Sequence, residues 1–393
     1  MSRADVATDV AIIGAGPVGL ALGLALHRAG IACVVLDARP RGSVREDKRV
    51  LALSHGSRQT LARLGVWPEN ASSFATSTPI ASIHISQRGG LGRTLLTADE
   101  ENVAALGYVV DAGILGGALE DACAQAGVAI RHDVRVDAIE AGKRDARLRL
   151  AGGTVGDGAK KLGAQLVACA EGSVTEALGV IRHDYAQQAL IAIVQTRQAH
   201  EHRAWERFTP DGPLALLPHG RDYALVWTVA DQDAPALLAL SDVAFVAKLQ
   251  DAFGNRHEFV GVSKRNAFPL SLRYRIDPTG PCTVWLGNAA QTLHPVAGQG
   301  FNLALRDVSV LLQTLCAIDR KDYGASATLA RYARARRVDR VATIRFTDAL
   351  IRLFGGENPL LKQARGAGLI ALDLLPAARS FLARRMIFGA RAF

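Results

Sequence analysis

The first strong pattern of apolar residues lies near the N-terminus of the chain. An apolar run over residues 10–13 is followed by a glycine-rich turn, and apolar residues then recur at helical spacing over 17–29. A second apolar run over 31–36 ends at Asp37. A strand, a helix and a second strand within about 30 residues are typical of a βαβ unit, so the pattern predicts a parallel sheet at this end of the chain.

The glycine-rich turn has the GxGxxG spacing of dinucleotide-binding proteins, and it reads Gly14-Ala15-Gly16-Pro17-Val18-Gly19. The first glycine of this motif permits the turn, the second lets a pyrophosphate approach the backbone, and the third lets helix and strand pack closely. The helix dipole favours phosphate at the same place. Asp37 is placed to accept hydrogen bonds from a ribose hydroxyl, so FAD or NAD suits the pocket better than NADP. An ordinary turn between strand and helix is the alternative, which the full βαβ context disfavours.

The apolar stretch over 10–26 has a second interpretation, as a membrane span or a signal sequence. It is shorter than the roughly 20 residues of a spanning helix, and it contains four glycines and a proline. It also lacks the basic flank and cleavage pattern of a signal peptide. A buried strand and helix therefore explain the stretch better.

Downstream, helical and strand-like segments alternate. The pattern predicts a helix over 111–126, a hairpin loop over 152–164 and a buried strand over 166–170. Strand-like segments dominate 186–275, and helices dominate after residue 302. We therefore predict an α/β protein in three parts: a discontinuous cofactor domain of 1–79, 98–185 and 276–345, an inserted sheet-based substrate domain of 80–97 and 186–275, and a C-terminal helical region of 346–393.

A second glycine-rich segment follows the predicted strand over 283–286. It begins with Gly287 and Asn288 and continues through a turn, Pro295-Val-Ala-Gly298-Gln299-Gly300-Phe-Asn302, into a predicted helix over 302–315. Free amides at that helix start would face the polar edge of an isoalloxazine ring. On spacing alone, a plain loop before a helix is an equal alternative. Together the two glycine-rich segments predict that one flavin dinucleotide is held at both ends.

Composition narrows the class of protein. The 393 residues are 49% hydrophobic, and 46 basic against 37 acidic residues give a net charge of +9. The arginines are dispersed and only 6% of residues are aromatic, so we predict no nucleic-acid partner, and an anionic membrane surface suits the charge better. The five cysteines form no CxxC pair, which indicates reduced thiols and predicts no metal site.

Beyond these features, nearly the whole chain resembles the class A flavoprotein monooxygenases, aromatic hydroxylases with the para-hydroxybenzoate hydroxylase fold. Within that group it is most similar to the ubiquinone-biosynthesis branch. The most specific match is the run over 287–307. Further matches lie at 49–54, 56–58 and 106–110, and at Tyr332, Arg336, Arg337, Asp339, Thr347, Asp348, Leu350 and Phe354. The resemblance implies an FAD-binding Rossmann-like domain with an inserted sheet-based substrate domain and C-terminal helices.

The resemblance also implies which residues bind FAD. The pyrophosphate and ribityl chain would lie near the first motif, Arg49 and the turn at Gly287, and the adenosine ribose near Asp37. The isoalloxazine would lie against the turn that starts at Pro295. The implied cofactor-binding set is Gly14, Ala15, Gly16, Pro17, Val18, Gly19, Asp37, Arg49, Glu171, Gly287, Asn288, Pro295, Gly298, Gln299, Gly300 and Asn302.

Two positions depart from the usual pattern of the family. Glu171 stands where the family usually has Asp. That family motif serves both FAD and the nicotinamide cofactor, so the resemblance supports NAD(P)H binding less strongly than FAD binding. Asn288 replaces a common Asp, which removes a charge near the pyrophosphate and leaves FAD binding intact.

The implied reaction is hydroxylation of the aromatic ring of a polyprenylated phenol in ubiquinone biosynthesis, with FAD, O₂ and NAD(P)H, through a flavin 4a-hydroperoxide. The sequence demands no catalytic side chain, because the cofactor does the difficult chemistry. His294 near the ring and His219 in the substrate region are more readily explained as structural. Two other functions stay open: a flavin-dependent prenyl reductase or dehydrogenase, and a non-catalytic flavoprotein scaffold of a biosynthetic complex, which the altered Glu171 favours.

The C-terminal segment over 366–393 mixes apolar residues with four arginines, Arg379, Arg384, Arg385 and Arg391. A basic amphipathic helix there would lie on a membrane surface. A helix packed on the core with its arginines in water is an equally good explanation. The expected location is cytoplasmic, either free or at the inner face of the membrane beside other ubiquinone-biosynthesis proteins.

Overall fold

The computed structural model of the chain describes residues 8–67, 77–151, 161–174, 179–354 and 359–389. The first layer of the fold is a largely parallel sheet built on the predicted βαβ unit. The unit consists of strand β1 (Thr8–Ile13), helix α1 (Pro17–Arg28) and strand β2 (Cys33–Leu36). The apolar run of β1 ends in four buried residues, because the strand lies in the middle of a sheet that is covered on both faces.

Parallel neighbours extend this first sheet on both sides of β1. The parallel order is β19 (Thr283–Trp285), β11 (Lys161–Cys169), β1, β2 and β8 (Ala129–Arg131). Antiparallel strands complete the edges, namely β9 (Arg135–Ala141), β10 (Ala146–Ala151) and β18 (Thr279–Gly280). Helix α1 packs against α3 (Ala112–Ala126) and α6 (Gln299–Cys316), and their apolar faces form the largest core cluster.

A second sheet of nine strands carries most of the middle of the chain. Its order is β20 (Gln291–Thr292), β17 (Asn266–Arg275), β12 (Val180–Thr196), β15 (Asp222–Ala230), β14 (Gly212–His219), β13 (Arg203–Thr209), β5 (Ser82–Gln87) and β6 (Arg93–Thr97), with β16 (Phe259–Val262) beside β12. Helices α4 (Ala234–Ala239) and α5 (Asp242–Phe253) belong to this region. On one face of the sheet, the aromatic residues Trp205 and Tyr223 belong to the same apolar cluster as Phe245 of α5.

Smaller elements connect the two large sheets. A three-stranded sheet consists of β3 (Val50–Ser54), β7 (Gly107–Asp111) and β4 (Thr78–Ile80), and helix α2 (His55–Arg63) follows β3. The last helices are α7 (Ser326–Phe354), α8 (Pro359–Leu374) and α9 (Pro376–Phe388).

The structure confirms the α/β class and most predicted elements, and it corrects two. Residues 161–164 are strand instead of hairpin loop, because they pair with β10; residues 152–160 lie outside the described part of the chain. The C-terminal segment forms two helices that meet at 96° instead of one amphipathic helix. The break falls at Leu375, because the ring of Pro376 disfavours helical backbone in the residue before it.

Candidate functional site

Four neighbouring parallel strands deliver predicted site residues to the same edge of the first sheet. Gly14 follows β1, Asp37 follows β2, Glu171 lies two residues after β11, and Gly287 lies two residues after β19. The carboxyl edge of a parallel sheet is where ligands of α/β proteins bind, because the strand ends and helix starts leave a crevice there. The fold therefore brings together four segments that are far apart in the sequence.

Two glycines of the first motif have different roles: Gly19 allows close packing, and Gly16 faces the cavity. A Cβ placed on Gly19 would lie 1.9 Å from the carbonyl oxygen of Gly14, so only glycine permits this contact between helix and turn. A Cβ placed on Gly16 would meet no atom within 4 Å, because the position opens onto a cavity. Gly16 is the N-cap of α1, and the first turn of that helix carries no acidic residue. The positive end of the helix dipole is therefore free to attract an anion.

Asp37 organises the turn beside the first motif. Its carboxylate accepts hydrogen bonds from the backbone N–H of Ala15 at 2.6 Å and from the Arg39 guanidinium at 2.9 and 3.0 Å. Burial opposes ionisation, but the hydrogen bonds from Arg39 outweigh it and lower the pKa of Asp37. Burial, and then the negative charge of Asp37, raise the pKa of Glu171. This end of the site thus carries an ionised carboxylate, paired with Arg39, beside a helix N-terminus, which suits a sugar hydroxyl next to a pyrophosphate.

One cavity of about 1540 Å³ joins the first motif to the second. Small-molecule sites usually measure about 300–1,000 Å³, so this space has room for two ligands. Gly14 and Gly298 line the same cavity, as one dinucleotide held at both ends requires. The predicted site residues that line it are Gly14, Gly16, Pro17, Val18, Asp37, Arg49, Glu171, Asn288, Pro295, Gly298 and Gly300.

The other predicted residues are not among the lining residues of the cavity, and one of them, Asn302, holds its wall in place. Asn302 donates to the carbonyl oxygens of Gly298 at 2.7 Å and Ala52 at 3.0 Å. Its Oδ1 accepts from the backbone N–H of Ser54 and the hydroxyl of Ser57. Asn302 therefore ties the second motif to β3. The predicted residues outside the lining are Ala15, Gly19, Gly287, Gln299 and Asn302.

The second motif presents another helix N-terminus to the cavity. Helix α6 starts at Gln299 with no acidic residue in its first turn. A Cβ on Gly300 would meet no atom within 4 Å, so the backbone is open to a ligand there as it is at Gly16. Two helix N-termini and two open glycine positions along one cavity fit a long ligand with an anionic centre and a polar, flat end.

His294 lines the cavity close to the second motif and is almost completely buried. Its Nδ1 accepts from the backbone N–H of Val296 at 3.1 Å, and burial lowers its pKa to about 4, so the ring is neutral near pH 7. The ring of Tyr185 meets it edge-on at 5.5 Å, and the Tyr185 hydroxyl donates to Asp348 at 3.0 Å. His219, in contrast, contacts Asp111 at 3.1 Å and is not among the lining residues.

A buried ionic network supports the second motif, and sequence reasoning assigned it no role. Asp307 accepts from the backbone N–H of Gly287 at 3.3 Å, from Gln291 at 2.9 Å and from Arg336 at 2.7 Å. Arg336 also donates to Asp339 at 2.7 Å. The sequence feature that could have indicated this network is the match of Arg336 and Asp339 to the family pattern. The network fixes the turn at Gly287 from the side away from the cavity.

The far half of the cavity is mostly apolar. One wall is the face of the second sheet opposite to α5, and the other is made of α7, α8 and α9. Phe208 of the sheet stacks on Phe354 of α7 with ring centroids 3.8 Å apart. The larger apolar side chains contributed by the three helices are Phe346, Leu350, Leu353, Phe354, Leu369, Leu372, Leu382 and Met386.

Comparisons with known proteins agree with this geometry. Residues 7–347 match the FAD binding domain family. The chain is 33% identical to ubiquinone hydroxylase UbiL of Rhodospirillum rubrum, covering 98% of this chain and 90% of that protein. It is 31% identical to 3-demethoxyubiquinol 3-hydroxylase of Escherichia coli, covering 93% and 95%. The crystal structure of p-nitrophenol 4-monooxygenase PnpA from Pseudomonas putida has a TM-score of 0.74 at 16% identity, covering 98% and 99%, which shows likeness of fold alone.

Proposed function

Because the chain belongs to the FAD binding domain family, we propose that it is an FAD-dependent monooxygenase that hydroxylates the aromatic ring of a polyprenylated phenol in ubiquinone biosynthesis. The observation that carries the proposal is one cavity with two chemically different halves, a nucleotide half at the sheet edge and a long apolar half beyond it. The similarity to two ring hydroxylases over at least 93% of the chain supports the same substrate class.

The residues at the sheet edge fit FAD. We assign the pyrophosphate to the open backbone at Gly16, the adenosine ribose to Asp37 and the flavin ring to the start of α6 at Gly298 and Gly300. Arg49 also lines the cavity, and it pairs with Asp47 at 2.6 Å. Hydride acceptance from NAD(P)H and activation of O₂ are the chemistry that FAD supplies when bound.

The protein itself orients the phenol and keeps water away. The stacked pair of Phe208 and Phe354 closes one side of the cavity, and Val296 packs in the same apolar cluster. Neutral His294 places no charge beside the ring site at pH 7. An apolar enclosure of this kind protects a reactive oxygen species from water and accepts a prenyl tail.

Isotope tracing tests the proposed function. The purified protein, loaded with FAD and supplied with NAD(P)H and 2-geranylphenol, is expected to place one atom of ¹⁸O from ¹⁸O₂ into the ring, detected by mass spectrometry. A prenyl reductase or dehydrogenase would give product without ¹⁸O, and a scaffold would give no NAD(P)H-dependent product. Either result would contradict the proposal.

We further infer that the corner between α8 and α9 lies on an anionic membrane surface, from which the lipophilic substrate enters. Leu374, Leu375 and Phe381 are 73%, 57% and 57% exposed, while Leu372 and Leu382 of the same helices line the cavity. The apolar surface is therefore continuous with the cavity wall. Among the described helices none alone is long and apolar enough to cross a bilayer, although α8 and α9 pass that test together as a bent pair.

Two of the three arginines of α9 take little part in this contact. Arg379 pairs with Glu100 at 2.6 Å and Arg384 pairs with Glu101 at 3.0 Å, so both cations are held by acidic side chains of the turn after β6. The apolar corner supplies the insertion, and the net charge of +9 supplies a general attraction to anionic lipid.

A double substitution tests the membrane corner. Leu374→Asp with Leu375→Asp is expected to lower binding to phosphatidylglycerol vesicles at least about 10-fold, because burying one leucine contributes about 1.5–3 kcal/mol. Flotation of the vesicles measures the bound fraction. Val243→Asp is the matched control, since Val243 is 82% exposed on α5, away from the corner. Equal flotation of the double variant and the unmodified protein would refute the membrane corner.

A further inference from the structure

One acidic side chain, Glu206, lies on the apolar wall of the cavity. It sits in β13 between Ala204 and Phe208, and all three residues line the cavity. The side chain of Trp205 belongs to the apolar core on the opposite face, 5.8 Å from the ring of Phe253. Because side chains alternate between the faces of a strand, Glu206 points into the cavity together with Ala204 and Phe208.

The surroundings of Glu206 offer its buried oxygen Oε1 no partner. Directly opposite in the two neighbouring strands are Ile85 and Ala215, which are apolar. Oε1 is buried without a hydrogen-bond partner, and no ion pair joins the carboxylate to a cation in the described part of the chain. The residue keeps some accessible surface because it faces the cavity. Burial alone raises the pKa of Glu206 to about 7. A buried polar group without a partner is uncommon in proteins and points to a ligand.

Glu206 lies next to the residues that pack against the second motif. Its strand neighbour Phe208 and its cross-strand neighbour Ile85 belong to one apolar cluster with Val296. Val296 follows Pro295, which lines the cavity at the proposed flavin ring site. This cluster connects the strand segment that carries Glu206 to the start of the second motif, so we assign the carboxylate to the part of the apolar half next to the proposed flavin ring site.

We propose that Glu206 is the base that accepts the proton of the phenolic hydroxyl while the ring is hydroxylated; this inference rests on the proposed function. The phenolic O–H bond breaks and an O–H bond to the carboxylate forms, so electron density moves into the ring and makes its carbon a better nucleophile. When the hydroxylated ring carbon loses its proton to solvent, the ring regains aromaticity, and the carboxyl group returns its own proton to the original phenolic oxygen. The transfer involves no oxidation or reduction, and the carboxylate is unchanged at the end.

Other ionisable groups that line the substrate half do not take this role. The Nδ1 of His294 already accepts the backbone N–H of Val296, so Nε2 carries the proton of the neutral ring and neither nitrogen is free to accept another; the pKa of about 4 also makes the ring a weak base. Arg365 of α8 donates to the carbonyl oxygen of Phe354 at 3.0 Å, and as a guanidinium it accepts no proton. Lys264 lines the cavity from the loop before β17 and is likewise no base in its charged form.

Glu206→Gln separates proton transfer from binding, because the amide has the same shape and still accepts a hydrogen bond. With 2-geranylphenol at pH 8 we expect kcat to fall about 100-fold, within the range of general base catalysis, and KM to change less than threefold. In the unmodified holoenzyme, kcat should rise with pH through about 7 as the carboxylate ionises. The variant should lose this rise.

Two comparisons make the assignment specific. Glu258→Gln is the control, since Glu258 is paired with Arg197 on the surface, and it should leave kcat unchanged. With 2-geranylanisole, which lacks the phenolic proton, the kcat of the unmodified enzyme should fall about 100-fold. Glu206→Gln should lower kcat for this substrate almost no further. A pH-independent kcat of the unmodified enzyme between 6 and 8, or a variant that keeps kcat within threefold, would overturn the role of Glu206. Failure of the unmodified enzyme to hydroxylate any phenol would instead contradict the proposed function.

Discussion

Gly16→Val is expected to lower the affinity for FAD at least about 100-fold while leaving the protein folded. The valine side chain would project into the open cavity where the pyrophosphate approaches the backbone. The backbone of Gly16 is extended, with φ −74° and ψ 175°, which valine adopts easily. The apoprotein should lose only about 1 kcal/mol, because valine is a poorer N-cap than glycine. Titration of the apoprotein with FAD, followed by flavin fluorescence, measures the loss.

Substitutions at two further glycines serve as controls for this result. Gly368 also lines the cavity, but on α8 in the apolar half, and a Cβ there would meet no atom within 4 Å. Gly368→Ala should therefore leave the affinity for FAD unchanged. Gly19→Ala should instead destabilise the apoprotein, since its Cβ would clash with the carbonyl oxygen of Gly14. If Gly16→Val bound FAD as tightly as the unmodified protein, the pyrophosphate would have to lie elsewhere.

Arg336→Met is expected to lower the free energy of unfolding by about 3–5 kcal/mol, because it takes the cation away from the buried carboxylate of Asp307, while Asp339 keeps its ion pair with Arg306. Arg336 bridges Asp307 and Asp339 at 2.7 Å each, and all three side chains are almost completely buried. Asp307 also accepts from the backbone N–H of Gly287, so the affinity for FAD should fall as well. Urea unfolding followed by circular dichroism measures the change. Arg337→Met, the exposed neighbour on the same helix, is the control, and equal losses in the two variants would contradict a specific role for the network.

The same network predicts how stability depends on pH. Burial opposes ionisation of Asp339, but the charges of Arg306 and Arg336 outweigh it and lower its pKa from 3.8 to about 2. A carboxylate with a lowered pKa in the folded state stabilises the protein above its unfolded pKa. That stability, about 2 kcal/mol, should be lost as the pH falls from about 4 to about 2. Asp339→Asn should flatten this part of the curve, and an unchanged acid transition in the variant would be evidence against the assignment.

The nucleotide half of the site was largely predictable from the sequence. The spacing of Gly14, Gly16 and Gly19 within a βαβ pattern depends on local geometry, and the structure places Asp37 beside that turn as expected. The sequence could not predict which of these residues line the cavity and which support its wall. Asn302 lies in the second motif, yet its side chain bonds to segments about 250 residues earlier, because β3 folds against the start of α6.

Taken alone, the amino-acid sequence determined the strand–helix–strand unit, the family and the two glycine-rich segments, because these follow from local spacing and turn chemistry. Only the tertiary structure decided that the two segments share one cavity, that Asp307 and Arg336 hold the turn at Gly287, and that Glu206 stands without a partner on an apolar wall. In a strand pattern an acidic residue looks the same whether it faces water or a closed cavity. Which of the two it faces depends on the strands and helices that pack around it, and those come from distant parts of the chain.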